Sequence, residues 1–281
     1  MRIFASENRH LYVNELGFPA PVDEQLQQLL LRTSGAIVIT GPAGSGKTTT
    51  AYACLRELAR VSQRARSILT LEDPIEVAVD GVVQAQVDQR ADLDLARGLR
   101  SLLRQDPEVL LIGEIRDGTT AEMTIEASLT SHLVLTTFHA GSAATAISRL
   151  SDMGIEPYLL RSGILGILSQ RLLRRLCDCR ELSSDDLPGA GLPVEQAYQP
   201  VGCHLCQGIG YHGRLALAEL LTPEPTELGR AILSRRSAAE LQQLAERSGM
   251  VTCRQRALEA VNRGETTPSE VRRVFGLRSD P

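Results

Sequence analysis

Residues 41–48 read Gly-Pro-Ala-Gly-Ser-Gly-Lys-Thr, a complete G-x-x-x-x-G-K-[ST] phosphate loop. The glycines let successive backbone N–H groups close around a polyphosphate. Lys47 can reach the β- and γ-phosphates of a nucleotide, and the Thr48 hydroxyl can ligate magnesium. The candidate nucleotide-binding set is Gly41, Pro42, Ala43, Gly44, Ser45, Gly46, Lys47, Thr48 and Thr49. A phosphate loop needs a strand before it and a helix after it. Residues Ala36–Thr40 form a short β-branched run that reads as the strand, and Tyr52, Leu55 and Leu58/Ala59 recur at helical spacing across Thr49–Arg60.

Three further apolar runs end in polar residues able to serve the same phosphates. Ser67–Leu71 runs into Glu72-Asp73-Pro74-Ile75-Glu76, Val109–Ile112 into Gly113-Glu114-Ile115-Arg116-Asp117, and Leu133–Thr137 into Phe138-His139. In open α/β sheets, ligands bind beyond the carboxyl ends of the strands. An acid after an apolar strand is the Walker B arrangement: magnesium prefers hard oxygen ligands, and a carboxylate orients or deprotonates the attacking water. We assign Glu72 to the attacking water and Glu114, with Thr48, to the magnesium shell. Alone, such an acid is more often a helix cap or a solvated loop residue; beside a full phosphate loop the balance reverses. His139 reads as a γ-phosphate contact or sensor, or else as a structural histidine. His132 reads as structural. Arg100, Arg104 and Arg116 are candidate contacts to a neighbouring subunit's phosphates, although arginines four apart on a helix usually mark a solvated face.

Four such strands, with helical patterns between them (Leu95, Leu99, Leu102 and Leu103 in one), give an α/β fold class with a mostly parallel sheet. The expected organisation is a nucleotide-binding core over 1–168, a small cysteine-containing module over 169–215 and a helical C-terminal subdomain over 216–281. Residues 180–200 are polar and rich in Gly and Pro, hence a loop. Thr267-Pro268-Ser269-Glu270 has the form of a capping box. The formal charge of −4, 3% aromatic content and absence of Trp argue against nucleic acid as a partner. No apolar run approaches the roughly 18 residues of a transmembrane helix, and Met1–Glu7 lacks the apolar region of a signal peptide. The expected compartment is therefore the cytoplasm.

With these stretches in view, the chain resembles the type II secretion and type IV pilus assembly ATPase family. Gly41–Thr50 resembles the family's Walker A, and Thr70-Leu71-Glu72-Asp73-Pro74-Ile75-Glu76 its aspartate box. Residues 103–117, from Leu103-Arg104-Gln105-Asp106-Pro107 to Gly113-Glu114-Ile115-Arg116-Asp117, resemble its Walker B signature, and Ser131–His139 its histidine box. Gln170-Arg171-Leu172, Gly210-Tyr211-His212-Gly213-Arg214 and the tail from Gly249 to Thr267 fit as well. The resemblance implies a RecA-like ATPase using Mg-ATP and working as a homo-hexameric ring. It implies cytoplasmic location, peripheral at the inner membrane, and a membrane platform protein as partner. The match begins almost at the first residue, so a short form without the family's N-terminal domains is expected. Glu108 stands where the family usually has Asp, Phe138 where it has Leu, and Ala140-Gly141 where it has Thr-Asn.

Cys203-His204-Leu205-Cys206 has C-x-x-C spacing and Cys177-Asp178-Cys179 has C-x-C spacing. The family, where it binds metal, has C-x-x-C at both places. Cys177, Cys179, Cys203 and Cys206 are thus a candidate structural zinc site, the shorter pair having the tighter bite; a vestigial site or redox-labile thiols are the alternatives. Cys54 and Cys253 lie in helical patterns and read as core thiols. Two other functions stay open: a nucleotide-binding scaffold or regulator with little turnover, and a nucleic-acid-dependent ATPase of the RecA type.

Overall fold

The computed structural model describes residues 11–88, 90, 93–183, 192–223 and 227–276. The Arg2-Ile3-Phe4 segment, which reads as the last strand of a preceding domain, and the middle of the 180–200 loop lie outside them.

Seven strands form one sheet: β1 (Gly35–Thr40), β2 (Ile68–Glu72), β3 (Val83–Gln86), β4 (Val109–Ile115), β5 (Leu133–Phe138), β6 (Ile164–Leu176) and β9 (Tyr211–Leu221). Their order is β3-β2-β4-β5-β1-β6-β9. All neighbours are parallel except the antiparallel β6–β9 pair. A short hairpin, β7 (Glu181–Leu182) with β8 (Tyr198–Gln199), stands apart. Strands β1, β2 and β5 are buried along their whole length. That is why they read as continuous apolar runs: parallel strands are covered on both faces.

The cover comes from α1 (Ala20–Leu30) and α2 (Lys47–Val61) on one face, with Leu26 and Leu55 packed on Ile37 and Leu135. On the other lie α3 (Leu95–Leu102), α4 (Gly118–Leu129), α5 (Ala143–Asp152) and α6 (Pro157–Gly163), with Leu99 and Ile125 against Val38, Leu110 and Val134. Then come α7 (Glu227–Leu233), α8 (Ala238–Arg247), α9 (Cys253–Asn262) and α10 (Pro268–Phe275). A third apolar cluster, with Leu173, Leu217, Ala257, Val261 and Val271, fastens α9 and α10 to the outer ends of β6 and β9. No described helix is long and apolar enough to cross a membrane.

The expected strands are all present: β1, β4 and β5 reach slightly further, and β2 is displaced by one residue, so that Glu72 closes β2 and Glu114 lies within β4. Two long strands differ from the expectation. The boundaries expected at 168/169 and 215/216 fall inside β6 and β9, and the next helix among the described residues is Glu227–Leu233. Residues 211–221 contain Leu-Ala-Leu-Ala-Glu-Leu-Leu, good helix formers, yet pairing with β6 from Ile167↔Leu221 to Leu176↔Tyr211 overrides that preference. The capping box is half formed. Thr267 accepts the Glu270 N–H at 3.1 Å, but the Glu270 carboxylate faces Arg174 and Arg273 instead of the Thr267 N–H.

Candidate nucleotide-binding site

The C-terminal ends of β1, β2, β4 and β5 open onto one cleft of about 640 Å³. It is lined by the loop after β1, by Glu72 and Asp73, by Glu114 and Arg116, and by His139. Thus the structure brings the three expected catalytic candidates beside the phosphate loop. The loop turns through left-handed φ at Gly44 (73°) and Gly46 (90°), a region that side chains disfavour. Gly46 caps α2 without any side-chain oxygen, leaving the first N–H groups of the helix for an anion.

Lys47 folds back over the loop, donating to the carbonyls of Gly41 at 3.0 Å and Pro42 at 3.3 Å. Its Nζ lies 4.0 Å from Glu114 Oε1. Burial pushes the Lys47 ammonium below its ordinary value, and Glu114 offsets only part of that. Glu114 reaches this position through a β-bulge: β4 and β5 pair Ile112 with Thr136 and Glu114 with Thr137, skipping Gly113. The Thr136 and Thr137 hydroxyls donate to the skipped Gly113 carbonyl at 3.2 and 3.3 Å.

Glu72 is held differently. It is 5% exposed and accepts from the Tyr52 hydroxyl, from Thr70 Oγ1 at 2.6 Å and from Gln84 Nε2 at 3.0 Å. Tyr52 in turn accepts the Glu76 N–H at 3.0 Å. Burial, then the bond to Glu72, pushes the Tyr52 phenol up, so the hydroxyl stays a donor at neutral pH. Tyr52 and Gln84 are therefore part of the site through Glu72. Tyr52 reads only as a helix-face residue in the sequence; β3, which carries Gln84, does alternate (Val83-Gln84-Ala85-Gln86-Val87), a period-two signal short enough to be passed over among the longer apolar runs.

The His139 ring has no hydrogen-bond partner among the described residues, and its backbone carbonyl accepts from Arg149. Arg171 of β6 donates to the Gly141 carbonyl at 2.7 Å and lies over the Phe275 ring of α10 at 5.6 Å. His132 is structural as expected: its Nδ1 meets the Ala127 carbonyl at 3.1 Å and Thr130 Oγ1 at 3.2 Å, closing α4. Arg116 pairs within its own chain, with Glu114 at 3.1 Å and Asp73 at 3.5 Å. Arg100 and Arg104 do not line the cleft.

The sulfurs of Cys177, Cys179, Cys203 and Cys206 converge at the far end of β6, all within 4.8 Å of one another. Three pairs lie at 3.7–3.8 Å. These separations exceed a disulfide bond and match the roughly 3.8 Å edge of a sulfur tetrahedron around zinc. Burial pushes the Cys206 thiol up, but the N–H groups of Cys203 and Gly210 (3.1 and 3.3 Å from its sulfur) bring it down to about 6. Among the described residues this is the one such metal-competent group of His, Cys, Asp and Glu side chains. Cys54 and Cys253 are buried elsewhere, as expected of core thiols.

A family model described as "Type II/IV secretion system protein" matches residues 1–273. The chain is 43% identical over 279 residues to type II secretion system protein E of Dickeya dadantii, covering 98% of this chain and 55% of that one. It is 39% identical over 280 residues to the type IV pilus assembly ATPase PilB of Thermus thermophilus, covering 96% of this chain and 31% of that one. The chain thus spans about half the length of the first of these relatives, or less. Among solved structures, the pilus retraction motor PilT with bound ADP superposes with a TM-score of 0.71 at 27% identity, covering 100% of this chain and 70% of that one. The ATPase DotB of Legionella pneumophila shares the fold, with a TM-score of 0.69 at 23% identity over 94% of this chain and 65% of that one.

Proposed function

This chain belongs to the type II/IV secretion system protein family, and on that premise we propose that it hydrolyses Mg-ATP at the cleft described above. Its work would be that of a motor ATPase of a type II secretion or type IV pilus assembly machine. The observation that carries the reading is the convergence of four strand ends on one cleft, with Lys47 and Glu114 4.0 Å apart across it. Such a cleft lies within the size range of small-ligand sites. Loop N–H groups and Lys47 bind the phosphates. Thr48 and Glu114 hold magnesium, which would neutralise charge developing on the phosphate oxygens. Glu72 orients the attacking water; its three protein donors fix the carboxylate and leave lone-pair capacity for one more donor. His139, with a free ring at the cleft, contacts the γ-phosphate.

The four cysteines fit zinc, which would tie the end of β6 to the turn before β9 and take no part in hydrolysis. Assembly as a homo-hexameric ring, a membrane platform protein as partner and a cytoplasmic location complete the reading. The test is phosphate release from Mg-ATP by the purified chain, titrated over protein concentration beside Lys47→Ala. A specific rate that rises with concentration supports a motor whose sites are completed between subunits. Binding without turnover above the variant would replace the motor with a nucleotide-dependent scaffold, and stimulation by single-stranded DNA would favour a nucleic-acid-dependent ATPase.

A further inference from the structure

One side chain from outside the four strand ends reaches under the phosphate loop. Gln170 of β6 is 3% exposed, and its Nε2 donates to the Ser45 carbonyl at 2.6 Å across 125 positions of sequence. Its Oε1 is buried without a partner. Turning the amide over would set Oε1 against the Ser45 oxygen, acceptor against acceptor, so the donor end must face the loop. A Cβ at Gly46 would sit 3.0 Å from Gln170 Nε2, so Gln170 fills the space that a side chain at Gly46 would need.

The consequence follows from peptide geometry. In a trans peptide the C=O of one residue and the N–H of the next point in opposite directions. Holding the Ser45 carbonyl toward β6 therefore turns the Gly46 N–H away from β6, toward the cleft that Gly46 lines. Among the described residues that N–H meets no backbone acceptor, so it is available to an anion. Within the loop, Ser45 N–H bonds to the Pro42 carbonyl at 3.3 Å, a long contact that does little to fix the next peptide plane.

We infer that Gln170 is a positioning residue for polyphosphate binding: its amide, by fixing the Ser45–Gly46 peptide plane, presents the Gly46 N–H to the nucleotide. This rests on the nucleotide-site reading above. The residue touches no reacting atom and acts only through the loop.

The test is the dissociation constant for a fluorescent ATP analogue with magnesium, together with melting temperature in the absence of nucleotide. The proteins are the full wild-type chain, Lys47→Ala, Gln170→Met and Gln170→Glu. Met keeps the volume without a donor; Glu keeps the shape and offers only acceptors. Both Gln170 variants are expected to bind the analogue about tenfold more weakly or worse, the scale of one buried hydrogen bond. Without nucleotide, Gln170→Met should melt close to wild type, whereas Gln170→Glu, which buries an unpaired carboxylate against the Ser45 carbonyl, should melt lower. If wild type binds, Lys47→Ala does not, and both Gln170 variants bind like wild type, the inference is overturned and Gln170 is packing alone. If both variants fail to fold, Gln170 is a folding residue and the inference is equally overturned. Wild type binding no better than Lys47→Ala removes the nucleotide-site reading itself, and this inference with it.

Discussion

Glu270 should make the attachment of the C-terminal helices sensitive to acid. It sits in the first turn of α10, fully buried, and accepts from the Arg174 backbone N–H at 2.8 Å and the Arg174 Nε at 2.9 Å. Arg273 adds donors at 2.7 and 2.6 Å. Burial pushes this carboxyl up, but the two guanidiniums and the backbone N–H outweigh it and hold it down to about 2, against an ordinary value of 4.5. A depressed carboxyl stabilises the fold above its unfolded pKa, and that stability is lost as pH falls through the folded one. Here the window runs from about pH 4.5 down to about pH 2. Holding the carboxyl that far below its ordinary value corresponds to about 3 kcal/mol at neutral pH, of which about 2 kcal/mol is gone by pH 3. The arginines are 38% and 57% exposed, so water can take them over when the carboxylate is lost, and the penalty should not exceed that figure by much. The assay is urea unfolding of wild type and Glu270→Gln at pH 7 and pH 3. Wild type should exceed the variant by about 3 kcal/mol at pH 7, and the gap should close by about 2 kcal/mol at pH 3. A gap of equal size at both pH values would refute the reasoning, because it would mean that Glu270 contributes by packing and not by charge.

The two candidate acids should separate by stability as well as by rate. Glu72→Gln leaves one acceptor oxygen for three donors, so it should slow phosphate release about a hundredfold or more and also cost about 1–3 kcal/mol in urea unfolding. Glu114→Gln, facing Lys47 at a half-exposed position, should slow release similarly with a much smaller stability change. Protein purified under reducing conditions without chelator should carry one zinc per chain by metal analysis. Its removal, or Cys206→Ser, should lower the melting temperature by at least about 3 °C, on the order of 1 kcal/mol. Phe275→Ala removes the ring beneath Arg171 and should cost about 1 kcal/mol beyond the lost apolar burial, read as the coupling energy of a double-mutant cycle with Arg171→Met.

What could be read from the sequence was the chemistry that is local in sequence. The phosphate loop is eight consecutive residues, and Glu72 and Glu114 each stand at the end of an apolar run; the sheet follows from four such runs and their intervening helices. The cysteine pairs were legible for the same reason, and the fold brings their sulfurs together. What was not legible depends on contacts between distant residues. Tyr52, Thr70 and Gln84 meet at Glu72 from three elements, and Gln170 meets Ser45 from a strand whose pattern shows no alternation. Strand β6 reads Ile-Leu-Gly-Ile-Leu-Ser-Gln-Arg-Leu-Leu-Arg-Arg-Leu, apolar on both faces where β1 covers it and arginine-rich beyond. Neither half has the period of two that marks a half-buried strand. The half-formed capping box failed for a related reason. Two arginines from outside the motif offered Glu270 stronger partners than its own backbone N–H.

The placement of β6 gives those distant contacts a common direction. Successive residues of a strand point to opposite sides, so adjacent Gln170 and Arg171 reach two separate loops: Gln170 the phosphate loop at Ser45, Arg171 the loop after His139 at Gly141. Three residues further on, Arg174 binds Glu270 of α10, and Cys177, just past the end of the strand, belongs to the four-sulfur cluster. The strand is paired with β9 from Ile167 to Leu176, which stiffens it along this whole stretch. A force on α10 or on the cysteine module would therefore act on both loops of the cleft through one hydrogen-bonded strand. The Glu270 variant perturbs the outer end of that strand and the Phe275 variant the Arg171 side chain midway along it, and neither residue lines the cleft. Weaker nucleotide binding in them, at a pH where the fold is intact, would be the signature of this coupling; unchanged binding would confine their role to holding the C-terminal helices in place.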